Sequence, residues 1–411
     1  MSIRWITASL GTAPALAVQN TPDINIIDVR DLVDKAGNRA ESVRFKIEQG
    51  VESLRSGKKT VICCDYGISR SNAIAAGVLS VYEGISLEQA VRKVQDSTGE
   101  KEIKLEPLMA VRAALGAKSK HGSDAKRSVL VTGGGGFIGR SLLPMLEQDF
   151  TVVAPSRDLI NLESGSTQLD LLVGESGADC IVHLANPRIY TSNVAFGSTM
   201  TMLRNVIDVC LSRDVRLIYL SSWEVYSGYR GNVTADESLP LFSKGPYGDS
   251  KYLAEVLLEH SKKNQGLKCS ILRSGPVYGV HADKPKFIYN FINKALRNEP
   301  IVTHRYKSCN PALDLMCVED LISAIVQVVK SDTKETFNLG TGVLTETVEI
   351  ATLISGILGS SSLISSTLID SDTACISMDS SKAFNTFGWK PQVDLNSGVM
   401  NIIEFEKGKI R

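Results

Sequence analysis

The sequence predicts an α/β protein of two domains, the second built on a doubly wound parallel sheet. At about 150 residues per domain, its 411 residues exceed one small domain. A polar, basic segment at residues 117–127 lacks apolar periodicity and is typical of an interdomain linker. Beyond it, short apolar runs alternate with helical patterns, as in parallel strands covered by helices on both faces. The predicted domains therefore span residues 1–116 and 128–411.

The composition excludes several classes of protein. Basic and acidic side chains balance at 45 each, and 43% of residues are hydrophobic, which disfavours a nucleic-acid partner and long disordered tails. Eight cysteines and five scattered histidines show no metal-ligand spacing, so we expect no metal and a reducing cytoplasm. The chain starts without a continuous signal-type apolar region, and it contains no run of about 18 apolar residues. We therefore expect neither secretion nor a membrane partner.

The first domain contains one segment with a chemical signature, TVICCDYGISRSNA, which joins a predicted strand (60–63) to a predicted helix (71–81). Cys64 ends the strand, Arg70 follows six positions later, and Gly67 between them allows a tight turn. In such a loop, backbone N–H groups and the helix N-terminus converge on an anion while a guanidinium binds its oxygens. The same environment lowers a thiol pKa from about 8.5 and makes a nucleophile for phosphoryl groups. A buried structural cysteine is the alternative.

The string CDYGISRS resembles the active-site loop of the dual-specificity protein phosphatases, and residues 1 to about 115 look like that family, beginning with ITASLGTAP at 6–14. The resemblance implies a small dual-specificity-phosphatase-like α/β domain acting on a phosphorylated substrate. It makes Cys64 the nucleophile, Arg70 the phosphate ligand and Ser71 the group that assists the leaving thiolate. The loop residues that would bind the phosphate are Asp65, Tyr66, Gly67, Ile68 and Ser69.

Two departures from that family bear on activity. Cys63 stands where the residue before the nucleophile is usually His, and this removes a contact that helps to set the thiolate pKa. The region before the nucleophile is also shorter than is usual in that family, which leaves two candidates for the general acid. This acid should lie on a loop about 30 residues upstream, where Asp31 and Asp34 both fit, and the match of the helix at 40–54 favours Asp34. An active phosphatase, a phosphate-binding pseudo-enzyme and a structural cysteine remain alternatives. Because neighbouring strand residues point oppositely, we expect no disulfide between Cys63 and Cys64.

The second domain opens with VLVTGGGGFIG, a glycine-rich loop that follows a predicted strand and begins a helix, the context of a dinucleotide fingerprint. Its glycines permit the turn, the approach of backbone to a pyrophosphate and the packing of helix on strand. The next strand ends in Ser156-Arg157 without an acidic residue, which suits a 2′-phosphate. NADP is therefore the expected cofactor, with NAD as the alternative. The predicted cofactor-binding residues are Gly133, Gly136, Phe137, Ile138, Gly139, Ser156 and Arg157.

A catalytic set follows further along the chain. Tyr247 and Lys251 lie four residues apart where a helix begins, so both project from one face. An ammonium beside a phenol favours the phenolate and lowers a pKa of about 10, which makes Tyr247 a usable acid or base. Ser222, at the end of the strand RLIYLSS, could hydrogen-bond the oxygen of the substrate.

These features resemble the extended short-chain dehydrogenase/reductases, the NAD-dependent nucleotide-sugar epimerases and dehydratases. The likeness covers about 128–407 and continues through ILRSGPVYG, LDLMCVEDLISAI, FNLGTG and SKAFNTFGWKP. It implies a Rossmann domain with a smaller C-terminal substrate-binding part and a nucleotide-sugar substrate. Ser222, Tyr247 and Lys251 take the catalytic roles, and Tyr247 and Lys251 also contact the cofactor. The string SRDLINLES is most like the reductase branch.

Three further residues have competing interpretations. Arg273 and Tyr278 fall where the family contacts substrate, and a structural role is nearly as well supported for both. His183 lies within a predicted central strand, which favours a core histidine over a catalyst.

Two classes of function are compatible with the two sites. The first is a bifunctional enzyme of carbohydrate biosynthesis that joins a cysteine-dependent phosphatase to an NADP-dependent nucleotide-sugar epimerase or reductase. The second is a regulatory protein that senses its cofactor and controls a protein-directed phosphatase or a phosphate-binding pseudo-phosphatase. A phosphatase for a small sugar phosphate or nucleotide is a third possibility. A homodimer is compatible with the sequence.

Overall fold

The computed structural model describes residues 2–18, 23–116, 126–187, 192–280, 282 and 287–410. The chain divides into two compact units. The first consists of Met1–Ala125, Ile160–Ala178 and Asp208–Val215, and the second of Lys126–Leu159, Asp179–Ile207 and Arg216–Arg411. Most of the predicted linker, residues 117–125, lies outside the described part of the chain. The predicted domain boundaries therefore stay predictions.

The described residues form eighteen strands, thirteen α-helices and two short 3₁₀ helices. The strands are β1 (Arg4–Trp5), β2 (Leu10–Pro14), β3 (Ile24–Asp28), β4 (Lys59–Cys64), β5 (Ser128–Thr132), β6 (Thr151–Val153), β7 (Ala178–His183), β8 (Arg216–Ser222), β9 (Gly231–Ala235), β10 (Cys269–Ser274), β11 (Val277–Tyr278), β12 (Ile301–Tyr306), β13 (Ala312–Leu313), β14 (Met316–Cys317), β15 (Thr336–Leu339), β16 (Thr345–Glu346), β17 (Ile364–Ile369) and β18 (Ala374–Met378). The helices are α1 (Ala40–Arg55), α2 (Arg70–Glu83), α3 (Leu87–Thr98), α4 (Leu105–Leu115), α5 (Phe137–Leu146), α6 (Thr167–Ser176), α7 (Asn193–Arg213), α8 (Gly245–Gln265), α9 (Phe287–Leu296), α10 (Val318–Lys330), α11 (Thr347–Leu358), α12 (Ser381–Phe387) and α13 (Leu395–Ile410).

The first unit contains a four-stranded sheet in the order β1-β2-β4-β3. Strand β4 is central and parallel to both β2 and β3, and its last five residues are buried. Helices α1, α2 and α4 pack on one another, with the small side chains of α2 buried along its length. This arrangement leads the chain from the carboxyl end of the inner strand β4 through a short loop to the N-terminus of α2, so the Cys64 loop lies at the carboxyl end of the sheet.

A buried ion cluster inside the first unit joins α6 to α4. The Asp170 carboxylate is fully buried and accepts hydrogen bonds from Arg112 at 2.9 Å and from Arg213 at 2.8 and 2.7 Å. Burial opposes its charge, but the two guanidinium groups lower the pKa of Asp170. Removing one partner of such a cluster typically costs about 3–5 kcal/mol, because it leaves a buried charge uncompensated.

The second unit is built on a six-stranded sheet in the order β6-β5-β7-β8-β10-β15. The paired strands β5 and β6, β7 and β8, β8 and β10, and β10 and β15 are all parallel. After β6 the chain returns to the other side of β5, so the strand order reverses between β5 and β7. Ligands of open α/β sheets bind at such a switch point, outside the carboxyl ends of the strands. The structure confirms the doubly wound parallel sheet that the alternating apolar runs predict.

A separate cluster of apolar side chains lies in the C-terminal part of the second unit. It draws Ile288 and Ile292 from α9, Ile350 and Ile354 from α11, and Val399 from α13. A further cluster packs Tyr226 against β9 and β18. This smaller part stands where the sequence predicts a substrate-binding region. Within the described residues, no helix combines the length and apolar character needed to cross a membrane.

Candidate active sites

The glycine-rich loop lies at the switch point of the six-stranded sheet. Gly133 has a φ of +75°, and a Cβ there would stand 2.7 Å from the backbone nitrogen of Ala185, which follows β7. Only glycine fits this close crossing. The Gly136 N–H donates to the Gly133 carbonyl at 3.0 Å, and α5 begins at the next residue, placing Phe137, Ile138 and Gly139 in its first turn. A Cβ on Gly135 would meet open space, so the loop leaves room for the pyrophosphate of a dinucleotide.

Ser156 and Arg157 lie beside this loop. They follow β6, which is parallel to β5 with Val153 opposite Leu130, so both residues are at the carboxyl edge of the sheet. The loops approach closely, since a Cβ on Gly134 would lie 3.0 Å from that of Ala154. Ser156 and Arg157 are exposed, and the Ser156 hydroxyl accepts a hydrogen bond from the Leu159 N–H at 3.3 Å. The residues therefore suit a cofactor that extends from the glycine loop across β6.

The structure brings Tyr247 and Lys251 together at the start of α8. The Lys251 Nζ lies 5.8 Å from the centroid of the Tyr247 ring and donates to the Leu220 carbonyl at 2.8 Å and to the Tyr219 hydroxyl at 3.2 Å. Lys251 is buried, and burial lowers its pKa to about 8. Ser222 ends β8, the strand that these Lys251 contacts reach, and its hydroxyl accepts from the Glu224 N–H at 3.2 Å.

His183 is buried beside Tyr219, the residue that Lys251 contacts. Its Nδ1 is 2.7 Å from the Thr132 hydroxyl, and its ring stacks on that of Tyr219 with centroids 6.0 Å apart. Burial, with a smaller contribution from the charge of Lys251, lowers the His183 pKa to about 3. The placement favours the core-histidine interpretation.

Two residues near the catalytic set are not singled out by the sequence reasoning. Tyr219 contacts Lys251, and burial raises the Tyr219 pKa well above 10. Glu224 follows Ser222 by two residues, and burial alone raises its carboxyl pKa. A strand-end serine followed by a carboxylate is a visible signal for Glu224. The contact of Tyr219 depends on how α8 crosses β8, which the sequence does not reveal.

Arg273 and Tyr278 occupy interior positions that favour the structural interpretation. The Arg273 guanidinium pairs with Glu255 at 2.7 Å and donates to the Tyr226 hydroxyl at 2.6 Å, so its donors are used within the core. Tyr278 is 2% exposed, and a Cβ on Gly398 would lie 2.4 Å from its hydroxyl oxygen. Neither side chain opens to a substrate in this arrangement.

The Cys64 loop of the first unit surrounds the Cys64 sulfur with a cradle of backbone N–H groups. Burial opposes ionisation of Cys64, yet its pKa is lowered by the Ser71 hydroxyl at 3.4 Å and by backbone N–H groups of the loop, including that of Gly67 at 3.2 Å. Gly67 has a φ of +70°, and a Cβ there would collide with the backbone of Ala13 and Pro14 at 2.5 Å. The glycine is therefore required for the turn that aims these N–H groups at sulfur.

Arg70 lies beside this cradle and bridges two loops. Its guanidinium pairs with Asp65 and donates to the Leu32 carbonyl at 2.9 Å and the Arg30 carbonyl at 3.5 Å. The segment that carries both candidate acids, Asp31 and Asp34, thus reaches Arg70 directly. Of the remaining loop residues, Tyr66 and Ile68 are exposed, and the buried Ser69 hydroxyl has no partner among the described residues.

The two candidate acids differ in their surroundings. Asp31 is mostly exposed, with a Lys46 contact at 3.1 Å. One Asp34 oxygen is 2.6 Å from Lys104, and the other is buried without a partner among the described residues. The charge of Asp34 also acts on Arg70. These surroundings therefore favour Asp34 over Asp31 as the candidate general acid.

Cys63 points away from the cradle. Its side chain packs with Ala13 and Val61 in a separate apolar cluster, and burial raises its pKa to about 11. Both Cys63 and Cys64 are free thiols. Because Cys63 and Cys64 point to opposite sides of β4, the expectation that they form no disulfide agrees with the structure.

The glycine loop at the switch point of the parallel sheet defines an α/β protein of the dinucleotide-binding class, with Tyr247 and Lys251 adjacent at the start of α8. Residues 129–340 match the family model described as "NAD dependent epimerase/dehydratase family", which is half of the chain. The chain belongs to this family. A nicotinamide dinucleotide is the cofactor class of the family, in agreement with the fingerprint.

Similar proteins and structures extend this result. The UDP-glucose 4-epimerase of Mycolicibacterium smegmatis is 26% identical over 68% of this chain and 98% of its own length. UDP-glucuronic acid decarboxylase 1 of Xenopus tropicalis is 27% identical over 69% of this chain and 72% of its own length. Among solved structures, the complex of Thermus thermophilus UDP-glucose 4-epimerase with NAD has a TM-score of 0.61 at 21% identity, covering 68% of this chain and 99% of that one. This last likeness bears on the fold alone.

Proposed function

We propose that the second unit converts a nucleoside-diphosphate sugar by transient or net oxidation and reduction at a sugar carbon, using NADP. The observation that carries the proposal is the buried Lys251 beside Tyr247 at the edge that bears the glycine loop. The M. smegmatis and X. tropicalis relatives are named for UDP-linked sugars, and mouse dTDP-D-glucose 4,6-dehydratase is 27% identical over 69% of this chain. A sugar linked to a nucleoside diphosphate is the substrate class common to these names.

Tyr247, Lys251 and Ser222 have separate roles in the proposed reaction. The nicotinamide, when bound, accepts or supplies the hydride. Tyr247 takes the proton of a sugar hydroxyl as its carbon is oxidised and returns that proton on reduction. Lys251 favours the tyrosinate through its charge, and Ser222 orients the sugar oxygen by a hydrogen bond.

The preference for NADP rests on the edge beside β6. Ser156 offers a hydroxyl, and Arg157 a guanidinium that can bind a phosphate by two hydrogen bonds. An acidic side chain that would accept from a ribose 2′-hydroxyl is missing from the Ser156-Arg157 position itself.

We further propose that the first unit is a cysteine-dependent phosphatase. The supporting observation is the lowered pKa of Cys64 in a loop whose N–H groups face its sulfur. The Cys64 thiolate attacks phosphorus, the bond to the leaving oxygen breaks, and the Asp34 carboxyl protonates that oxygen. Water then attacks the phosphocysteine, gives a proton to the Asp34 carboxylate and releases the thiolate, which the Ser71 hydroxyl stabilises.

A phosphate-binding pseudo-enzyme is the second candidate for this unit. It is favoured by the position of Cys63, which gives the nucleophile no imidazole neighbour in the preceding position. Both candidates bind an oxyanion in the Cys64 loop, and they differ only in hydrolysis.

One set of measurements on the full chain tests both activities. Native mass spectrometry with NADPH or NADH, followed by incubation with UDP-glucose, UDP-glucuronic acid and dTDP-glucose, should reveal a retained dinucleotide and a converted sugar. The same protein should hydrolyse a generic aryl phosphate whether or not a dinucleotide and a nucleotide-sugar are present. Failure to bind either dinucleotide would refute the first activity. Vanadate binding without hydrolysis of aryl, peptide or sugar phosphates would assign the first unit to the pseudo-enzyme class.

A further inference from the structure

Two cysteines in the second unit, distant in sequence, lie side by side. Cys375 belongs to β18, and Cys309 lies in the segment between β12 and β13, 66 residues earlier. Their Sγ atoms are 2.9 Å apart. We propose that Cys309 and Cys375 form a redox modification site, which peroxide closes into a disulfide and thiols reopen. Neither residue belongs to the fingerprint or to the catalytic set.

The backbone around the two thiols is already held in register. The Ser308 hydroxyl donates to the Thr373 carbonyl at 2.9 Å and accepts from the Thr373 N–H at the same distance. On the other side of the pair, the Cys375 sulfur lies 3.4 Å from the Ala312 N–H and 3.2 Å from the Asn310 carbonyl. A disulfide has an S–S bond of about 2.05 Å, so the two sulfurs must approach by less than about 1 Å. The proposal requires this movement to come from side-chain rotation, with the pairing of β18 to β9 kept.

The two thiols differ in access to solvent, which assigns their order of reaction. Cys309 is partly exposed, whereas Cys375 and the other six cysteines are buried. Cys309 is therefore the peroxide-reactive thiol and Cys375 the resolving one. Peroxide reactivity follows the exposed thiolate, and a neighbouring thiol converts the first product into a disulfide.

The chemistry balances with hydrogen peroxide as the oxidant. The Cys309 thiolate attacks one peroxide oxygen, the O–O bond breaks, and the departing hydroxide takes a proton to become water. The Cys375 sulfur then attacks the sulfenic sulfur of Cys309 and expels hydroxide, which takes the proton of the Cys375 thiol. Two thiols and one peroxide thus give one disulfide and two waters.

The disulfide would stabilise a region that is already held together by hydrogen bonds to one carboxylate. Three residues beyond Cys375, the Met378 N–H donates to the Asp314 carboxylate at 2.9 Å. The same carboxylate accepts from the N–H groups of Thr341 at 2.7 Å and Gly342 at 3.0 Å. Asp314 itself lies five residues beyond Cys309. A bond between Cys309 and Cys375 would therefore close a short ring around this carboxylate and resist its opening.

The test uses the full chain carrying Cys64→Ser, because Cys64 is the other thiol expected to react with peroxide. After titration with hydrogen peroxide, the protein is denatured, alkylated with iodoacetamide and weighed intact. We expect two fewer alkyl groups per chain than in the protein without peroxide, a further decrease of about 2 Da for the two hydrogens lost, a cross-linked peptide joining Cys309 to Cys375, and full reversal by dithiothreitol.

Single variants separate the two thiols. Cys375→Ser should accumulate a Cys309 sulfenic acid that reacts with dimedone, whereas Cys309→Ser should leave Cys375 unmodified at the same peroxide concentration. The proposal is overturned if both thiols stay alkylatable at peroxide concentrations that oxidise Cys64 in the unmutated chain. It is equally overturned if Cys309 proceeds to sulfinic acid without a cross-link. The readout on Cys64→Ser stands even if a Cys375 variant fails to fold.

Discussion

Cys64 and Lys251 are both buried and both have lowered pKa values, yet the two shifts have opposite meanings. For the thiol the lowered pKa stabilises the charged form, because N–H and O–H groups point at sulfur and outweigh burial. For the ammonium it destabilises the charged form, because burial outweighs the nearby charge of Glu255. Burial alone therefore does not fix the charge of a site. The balance between burial and the hydrogen bonds and charges that favour the charged form decides the outcome.

Loss of the thiol is the largest expected effect and tests one side of this comparison. Cys64→Ser should abolish aryl phosphate hydrolysis while the loop still binds vanadate, because an alcohol at this position is far less ionised than a thiol. Cys63→Ser is the matched control, since that side chain faces the opposite side of β4 and should leave hydrolysis nearly unchanged. Equal activity of the two variants would contradict a nucleophilic Cys64.

The corresponding change at the second site is Tyr247→Phe. It should lower turnover of the nucleotide-sugar by about 10²-fold or more, because the acid/base hydroxyl is removed while the ring is kept. Cofactor affinity, measured by fluorescence titration, should stay nearly unchanged. Lys251→Ala should reduce both quantities, since the family resemblance gives this side chain a contact with both the phenol and the cofactor. Full turnover by Tyr247→Phe would assign the proton transfer to another group.

A smaller effect is expected at the edge beside β6. Arg157→Ala should weaken NADPH binding relative to NADH by about 10- to 100-fold, since a charge-assisted hydrogen bond contributes about 1.5–3 kcal/mol. The check is a pair of dissociation constants by calorimetry for each protein. Equal constants for the two cofactors in the unmutated chain would remove the basis of the NADP preference.

Ser71→Ala should change the Cys64 site more modestly than the other variants change theirs. Ser71→Ala removes one of several donors to the Cys64 sulfur, so its thiol pKa should rise while the loop N–H groups keep part of the lowering. The rate of Cys64 alkylation by iodoacetamide, followed against pH, should show its midpoint displaced to higher pH. The thiolate is the reacting form and is lost as pH falls through the pKa. A displacement to lower pH would mean that the Ser71 hydroxyl does not stabilise the anion.

Features encoded over a few adjacent residues could be predicted from the sequence. The turn at Gly133, the pairing of Tyr247 with Lys251 and the strand that ends at Ser222 each follow from short-range spacing and are present in the structure. Contacts that depend on how distant elements cross could not be predicted. The Tyr219 hydroxyl at Lys251, the Glu255 partner of Arg273 and the approach of Cys309 to Cys375 all belong to that group.

The make-up of the first compact unit also depends on contacts between distant segments. The boundary at 117–127 stays a prediction, and the first unit contains Ile160–Ala178 and Asp208–Val215 together with Met1–Ala125. Polar side chains connect these segments to the rest of the first unit. Glu102 accepts hydrogen bonds from the N–H groups of Ser166 and Thr167 at 3.0 and 3.2 Å. The Asp170 carboxylate accepts hydrogen bonds from both Arg112 and Arg213. No local pattern of apolar residues reports such pairings.

The buried Asp170 cluster has a consequence for proteolysis and for fragment complementation. A protease that cleaves only between residues 117 and 125 would leave Arg112 on one fragment and Asp170 with Arg213 on the other. Separating the fragments would leave the Asp170 carboxylate and the two guanidinium groups without their full set of partners. The nicked protein should therefore elute as one species, and the two fragments, expressed apart, should recombine.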